Sequence, residues 1–213
     1  MIVSTNSLAA ADHFYAYAFS YKNKKTYLKK FKWQIFELKP DPEDFDIMVA
    51  SNHDVKKSEK HYTCIHSKTF LFDDSIVWIG SFNLDPRSAS LNTEAALLIR
   101  DPAMALHVKS KILRDIAPQN SWTIGVRQKV PVLGYLNGAI ENLFMNIPFA
   151  NVWPFTYTTS FELNTGGTEL PFFHSDFNEN YYGVGSFPGM EMSTKVLKTR
   201  LTKAFFGPVQ PII

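Results

Sequence analysis

Five side chains suited to phosphoryl chemistry occur in one stretch of the sequence: His66, Lys68, Ser81, Asn83 and Glu94. An imidazole can attack phosphorus or carry a proton, a lysine supplies fixed positive charge, and serine and asparagine donate hydrogen bonds. Phosphoryl transfer needs this combination, because its barrier is lowered mainly by positioning the reacting atoms and stabilising charge on the phosphoryl oxygens. The set therefore predicts a phosphodiester site.

The spacing of these residues predicts how they converge. In an extended strand every second side chain points the same way, so His66 and Lys68 would share one face. Residues 69–72 form a continuous apolar run typical of a buried strand, and Asp73 begins a segment with turn chemistry. Residues 76–79 would return as a second strand. Such a hairpin would bring the Gly-Ser-x-Asn segment close to the start of the first strand.

The order His-x-Lys-x-x-x-x-Asp, Gly-Ser-x-Asn, Asn-x-Glu resembles the phospholipase D superfamily. The matching positions are His66, Lys68, Asp73, Ser81, Asn83 and Glu94. A lone His-x-Lys pair carries no information, but the whole ordered set is specific. Residues 5–12 and 83–88 are also similar to the bacterial cardiolipin synthase branch. The resemblance covers roughly residues 1–120 and implies a phospholipase D-like fold.

The resemblance also implies a role for each motif residue. The implied catalytic residues are His66, Lys68, Asp73 and Glu94, and the implied ligands of the substrate phosphate are Lys68, Ser81 and Asn83. Glu94 is the candidate for orienting the His66 imidazole. Asp73 could equally only close a turn, and Ser81 and Asn83 could only cap one. The implied reaction is two-step phosphatidyl transfer through a phosphohistidine, without a metal ion or other cofactor.

Only one copy of the motif is present, whereas members of that branch carry two per chain. Either the sequence is a fragment of a longer protein, or it forms a homodimer in which two copies of His66 face each other. The second arrangement is that of the superfamily's single-motif nucleases. Met1 directly before the strand-like residues 2–4 favours a fragment. In a fragment His66 would be the acid–base histidine, and in a homodimer it would serve both roles.

Composition limits the remaining classes. The chain has 213 residues, of which 45% are hydrophobic and 20% charged, as expected for a soluble globular protein with one core. The net charge of +2 gives little reason to expect nucleic acid. The single cysteine, Cys64, excludes an intrachain disulfide and a cysteine-based zinc site. No apolar run reaches the roughly 20 residues of a membrane span.

The expected partner is a phospholipid such as phosphatidylglycerol, contacted at the membrane surface. We accordingly expect a cytoplasmic protein or one peripheral to the inner membrane. The alternative function is that of a nuclease or other phosphodiesterase working as a single-motif homodimer on nucleic acid. Four aromatic side chains could face lipid or could wrap the core: Phe144, Phe149, Trp153 and Phe155.

The elements expected around the site alternate between strand and helix. Strands are predicted at 2–4, 33–38 and 91–99, the hairpin at 64–79, and helices at 8–32 and 102–116. Asn6 or Ser7 would cap the first helix. The predicted fold is α/β, with a mixed central sheet flanked by helices. Residues 1–117 would form the catalytic half, and residues 118–213 an aromatic, turn-rich extension that is helical only near 193–206.

Overall fold

The structure is a computed structural model that describes residues 1–11, 14–48, 64–84, 86–127 and 157–190. Within these ranges the strands are β1 Ile2–Asn6, β2 Gln34–Leu38, β3 Lys68–Phe72, β4 Ile76–Gly80, β5 Ala96–Arg100, β6 Ser121–Val126, β7 Thr158–Leu163 and β8 Tyr181–Gly185. The helices are α1 Phe14–Lys29, α2 Phe45–Met48, α3 Pro86–Ser90, α4 Pro102–Asp115 and α5 Phe177–Asn180.

The larger sheet has five strands in the order β1-β2-β6-β7-β8. β1 and β2 are parallel, and the other neighbouring pairs are antiparallel. The parallel pair requires a crossover connection, and α1 lies within it. Leu28 of α1 packs with Ile35 of β2 and Ile124 of β6 in one buried cluster. The predicted α/β class with a mixed central sheet is confirmed.

The predicted hairpin is present as β3 and β4, and β5 adds a third antiparallel strand beside β4. These strands form a separate sheet, which was not expected from the sequence. Helix α4 covers one of its faces. Val77 of β4 and Ala105 of α4 are both fully buried, because alternate residues of β4 face the helix.

The helix starts were predicted unequally well. Asp101 caps α4 as expected, since its Oδ1 accepts hydrogen bonds from the amides of Ala103 and Met104 at 2.8 and 3.3 Å. The first helix begins at Phe14 rather than near residue 8. Residues 8–10 form a turn instead, in which the Ala10 amide donates to Ser7 Oγ at 3.1 Å.

The predicted boundary between residues 117 and 118 falls between α4 and β6. β6 pairs with β2, with Ile124 opposite Ile35, so strands from both sides of the boundary share the larger sheet. Phe144, Phe149, Trp153 and Phe155 and the helix predicted near 193–206 lie outside the described residues. Their expected roles stay predictions. No helix within the described ranges is long and apolar enough to cross a membrane.

Candidate active site

An open pocket of about 690 Å³ lies at one end of the three-stranded sheet. Its lining consists of His66, Lys68, Gly80, Ser81, Asn83, Leu91, Asn92, Thr93 and Glu94. The strand register explains this convergence, because the first residue of β3 pairs with the last of β4, which in turn pairs with the first of β5. The structure therefore brings five of the six predicted site residues to one pocket.

The sixth predicted residue, Asp73, lies in the turn at the opposite end of the hairpin. Five residues of strand separate it from Lys68, a span of roughly 16 Å at about 3.3 Å per residue. Asp73 and Asp74 have φ angles of 49° and 52°, a left-handed conformation that aspartate tolerates better than most residues. The structure therefore does not bring Asp73 to the pocket, and its position suits the turn-forming alternative.

His66 precedes β3 and is exposed at the pocket. The sequence argument placed it on a strand face with Lys68, but the strand begins only at Lys68. The two residues are nevertheless joined, because Lys68 Nζ donates a hydrogen bond to the backbone carbonyl oxygen of His66 at 2.8 Å. The Lys68 ammonium thus lies beside His66, as predicted. The contact is between the lysine side chain and the histidine main chain, not between the two side chains.

Glu94 is held by hydroxyl and amide donors. Ser81 Oγ donates to Glu94 Oε2 at 2.5 Å. This bond, followed by hydrogen bonds from Ser88 and Asn92 and the nearby charge of Lys68, lowers the pKa of the Glu94 carboxyl. The carboxylate is therefore the stable form in the pocket.

Among the described residues, the hydrogen-bond partners of the Glu94 carboxylate are Ser81, Ser88 and Asn92 rather than the His66 imidazole. The register of β4 and β5 explains this, because it places Ser81, just after β4, beside the residues just before β5. Glu94 therefore holds this part of the pocket together in the structure, and its role in orienting His66 stays a prediction.

Ser81 fastens the end of β4 to the segment before β5. Its amide donates to the carbonyl oxygen of Ala95 at 3.0 Å, and its Oγ accepts from the Ala95 amide at 3.1 Å. Since its hydroxyl proton is directed to Glu94, Ser81 has no spare donor for a phosphate in this arrangement. The exposed side chain of Asn83 is the better placed donor, because among the described residues the hydrogen bond of Asn83 is made by its main-chain amide, to Ser88 Oγ at 3.2 Å.

Gly80 makes this close fastening possible. A Cβ atom at this position would lie 2.6 Å from the carbonyl oxygen of Ala95 and 2.7 Å from the Cβ of Ala96. Both distances are far below van der Waals contact. The sequence suggested that this glycine admits a ligand, and the structure shows that it admits the neighbouring strand.

Leu91, Asn92 and Thr93 line the pocket although sequence reasoning did not select them, and Ser88 bonds to the lining residue Glu94 without lining the pocket itself. Asn92 belongs to the Asn-x-Glu motif, so its position was a usable signal. Ser88 is 5% exposed and bonds to both Glu94 and the Asn83 amide, which only the folded chain shows.

With this geometry established, comparison with known proteins shows what the pocket region is similar to. The model of the cardiolipin synthase phospholipase D-like domain matches residues 36–116, a range that contains every pocket residue. These residues are therefore similar to the cardiolipin synthase-like domain of the phospholipase D superfamily. At the level of the family, the phospholipase D-like domain supports phosphodiester transfer as the class of chemistry.

Three relatives illustrate the match. A protein of Helicobacter pylori strain 26695, described as uncharacterized, is 34% identical over 124 residues, which are 58% of this chain and 22% of that protein. Cardiolipin synthase C of Escherichia coli K12 is 34% identical over 113 residues, 53% of this chain and 23% of the relative. Cardiolipin synthase of Staphylococcus aureus strain Mu50 is 37% identical over 59 residues, 28% and 12% respectively.

The chain therefore spans about a fifth of the length of the first two curated relatives that it matches. No solved structure gives a significant match to the chain.

Proposed function

We propose that the pocket is one half of a phosphatidyl-transfer site, in which His66 is one of two histidines that act on a phospholipid phosphodiester. The observation that carries this proposal is the convergence of His66, Lys68, Asn83 and Glu94 on one open pocket of about 690 Å³. An imidazole, an ammonium and an amide donor around one opening are the groups that phosphoryl transfer requires. Similarity to cardiolipin synthases of Escherichia coli and Staphylococcus aureus supports a lipid substrate.

In the first chemical step an imidazole nitrogen attacks the phosphorus of the phosphatidyl donor. An N–P bond forms and the P–O bond to the departing alcohol breaks, while a second imidazolium gives its proton to that alcohol. In the second step a lipid hydroxyl or water loses its proton to the same second imidazole and attacks phosphorus. The N–P bond then breaks, and both histidines return to their starting forms.

Two imidazoles are thus needed, and the motif supplies one. A second motif must come from another part of a longer protein or from a second copy of this chain. With a partner motif elsewhere, His66 serves as the acid–base histidine by its resemblance to the family. In a homodimer, the two copies of His66 divide the roles between them.

The surrounding residues divide the remaining work. The Lys68 ammonium, now on the His66 carbonyl oxygen, is close enough to the pocket to turn toward a phosphate oxygen. Asn83 offers its exposed amide as a neutral donor. Ser81 and Glu94 hold the segment that carries these groups, and they act on the substrate only through it.

The test compares two phosphodiester substrates and two histidine variants. Phosphatidylglycerol vesicles and a single-stranded oligonucleotide are each incubated with the wild-type chain, His66→Ala and His107→Ala. His107 is an exposed histidine of α4 outside the pocket, so its variant is the matched control. We expect lipid turnover that His66→Ala abolishes and His107→Ala leaves unchanged. Oligonucleotide cleavage that depends on His66 and falls steeply with salt would replace the lipid proposal with the nuclease alternative.

A further inference from the structure

The side chain of Asn6 makes an unusual pair of contacts with the main chain directly before His66. Asn6 Nδ2 donates to the carbonyl oxygen of Ile65 at 2.8 Å, and the Ile65 amide donates to Asn6 Oδ1 at 2.7 Å. The same Nδ2 lies 3.3 Å from Sγ of Cys64. One side chain thus supplies Ile65 with the two hydrogen bonds that a neighbouring strand would give.

Residues 64–67, the segment that receives these bonds, have no hydrogen-bonded neighbouring strand among the described residues. Residues 64–67 form no strand, and β3 begins only at Lys68. Main chain without such partners keeps conformational freedom, which would spread the positions available to the His66 imidazole. Asn6 holds the main chain on one side of His66, and Lys68 Nζ holds the His66 carbonyl oxygen on the other. The imidazole itself stays exposed to the pocket.

The support behind Asn6 is rigid. Asn6 is the last residue of β1 and lies opposite Leu38 of β2, which is fully buried. The amide of the next residue, Ser7, donates to the Leu38 carbonyl oxygen at 3.3 Å. Asn6 therefore connects the larger sheet to a segment that leads into the smaller one. A side chain at the end of a strand is positioned more precisely than one on a loop.

We propose that Asn6 is a positioning residue for His66, which fixes the imidazole relative to Lys68 and Glu94 by clamping Ile65 to the end of β1. Asn6 lies outside residues 36–116, the range that matches the phospholipase D-like domain. The proposal rests on the proposed function of His66, so its test includes a measurement that needs no turnover.

The variants are Asn6→Ala, Asn6→Asp and a matched control, Asn180→Ala. Asn180 also uses both side-chain atoms on main-chain groups, but of two residues: its Oδ1 accepts from the Thr168 amide at 2.7 Å and its Nδ2 donates to the Asp176 carbonyl oxygen at 3.0 Å. We expect Asn6→Ala to lower kcat for phosphatidylglycerol by roughly 10- to 100-fold, the effect of a small misplacement, with KM changed by less than about twofold. Asn6→Asp keeps the acceptor for the Ile65 amide, so its kcat should lie between those of the wild type and Asn6→Ala. Asn180→Ala should keep the wild-type kcat.

Hydrogen exchange at the Ile65 amide and the imidazole signals of His66 in NMR spectra give the measurement independent of turnover. Asn6→Ala should speed exchange at Ile65 by about tenfold or more, since it removes the acceptor of that amide, and should broaden or shift the His66 signals. Asn180→Ala should change neither. Where fractions that hold two motifs show no His66-dependent turnover, the proposed function fails, and these signals alone decide whether Asn6 positions the histidine.

Two results would overturn the role of Asn6. One is an Asn6→Ala chain with wild-type Ile65 exchange and unchanged His66 signals. The other is an equal loss of kcat in Asn6→Ala and Asn180→Ala, since that would mean a general loss of stability.

Discussion

Glu94 holds its charge because three neighbouring side chains donate to it. Ser81 is the strongest of these donors, followed by Ser88 and Asn92, and together they lower the pKa of the carboxyl. A group whose pKa is lowered in the folded state loses its charge only when the pH falls through that lower value. Glu94 therefore stays ionised to a lower pH than an ordinary glutamate, and its contribution to the pocket should not vary with pH near neutrality.

Replacing Glu94 by Gln should lower kcat by roughly 10- to 100-fold, because the amide accepts more weakly from Ser81 and loses the charge near Lys68. The ratio of wild-type to variant rates should stay constant from pH 5 to pH 8. Initial rates of phosphatidylglycerol turnover across that range test the prediction, with Glu43→Gln on the exposed surface as the control. A ratio that changes strongly between pH 6 and pH 7 would mean that Glu94 titrates there and acts as an acid or base.

Of the six site residues that the order of the motif predicted, five meet at the pocket. The order could not show how far each side chain lies from the others in the folded chain. Asp73 and Glu94 match the family pattern equally well, yet one lies at the far end of the hairpin and the other in the pocket. The hydrogen bond from Ser81 to Glu94 depends on the register of β4 and β5, which no local pattern specifies. The role of Asn6 depends on a contact with Ile65, 59 residues away.

At the scale of elements, α1 is joined to β2 by a buried ion pair. Lys24 of α1 and Glu37 of β2 contact each other and are 2% and 1% exposed. Tyr17 accepts from Lys24 Nζ at 3.0 Å and donates to Glu37 Oε2 at 3.3 Å. Burial lowers the pKa of Lys24, and the adjacent carboxylate opposes that effect.

Lys24→Ala should lower the free energy of unfolding by about 3–5 kcal/mol, since it leaves the Glu37 carboxylate buried and without its cation. The double variant Lys24→Met with Glu37→Gln should cost less than the single one, because the neutral amide still accepts from Tyr17. Urea denaturation measures both. A surface pair gives the comparison: Lys109 and Asp74 are 40% and 60% exposed, and Lys109→Ala should cost less than about 1 kcal/mol. A Lys24→Ala cost as small as that would contradict the prediction.

The last residue of α4 carries an unfavourable charge. Partial burial raises the pKa of Asp115 to about 6, although the charges of Arg114 and Lys111 oppose the shift. Because the folded state favours the protonated carboxyl, the stability contributed by this group is greatest below about pH 4. It is lost as the pH rises through 6.

Asp115→Asn should therefore stabilise the fold at pH 7.5 by on the order of 1 kcal/mol, a value reduced for solvent screening of a partly exposed group. At pH 4 the variant and the wild type should be nearly equal. Denaturant midpoints at pH 4, 5.5 and 7.5 measure the difference, and the exposed Asp41→Asn is the control. Equal stabilities of Asp115→Asn and wild type at pH 7.5 would refute the assignment.

Local signals predicted the elements that end in clear caps or turns. The Asp101-Pro102 pair marked the start of α4, and the turn chemistry at Asp73 between two apolar runs marked the hairpin. The start of α1 was placed too early because Asn6, a good helix cap by type, uses its side chain on Ile65 instead. The two-sheet arrangement was not predictable, since strand pairing depends on distant parts of the chain.

For the whole molecule, the main point is that the single motif supplies only one of the two imidazoles that the proposed reaction uses. The strands on both sides of residue 117 share the larger sheet, so this sheet extends past the residues that match the phospholipase D-like domain. Two-step transfer needs a second histidine, and the chain spans about a fifth of the first relatives' length. Activity should therefore follow the number of motifs brought together.

The most direct test is to measure phosphatidylglycerol turnover and mass by light scattering on the same chromatographic fractions, for the wild-type chain and His66→Ala. We predict that turnover occurs only in fractions that hold two motifs, such as a dimer, and that His66→Ala abolishes it. A monomer without turnover agrees with this account and directs the search to a second motif on another segment. Turnover by a monomeric chain, or turnover that survives His66→Ala, would contradict it.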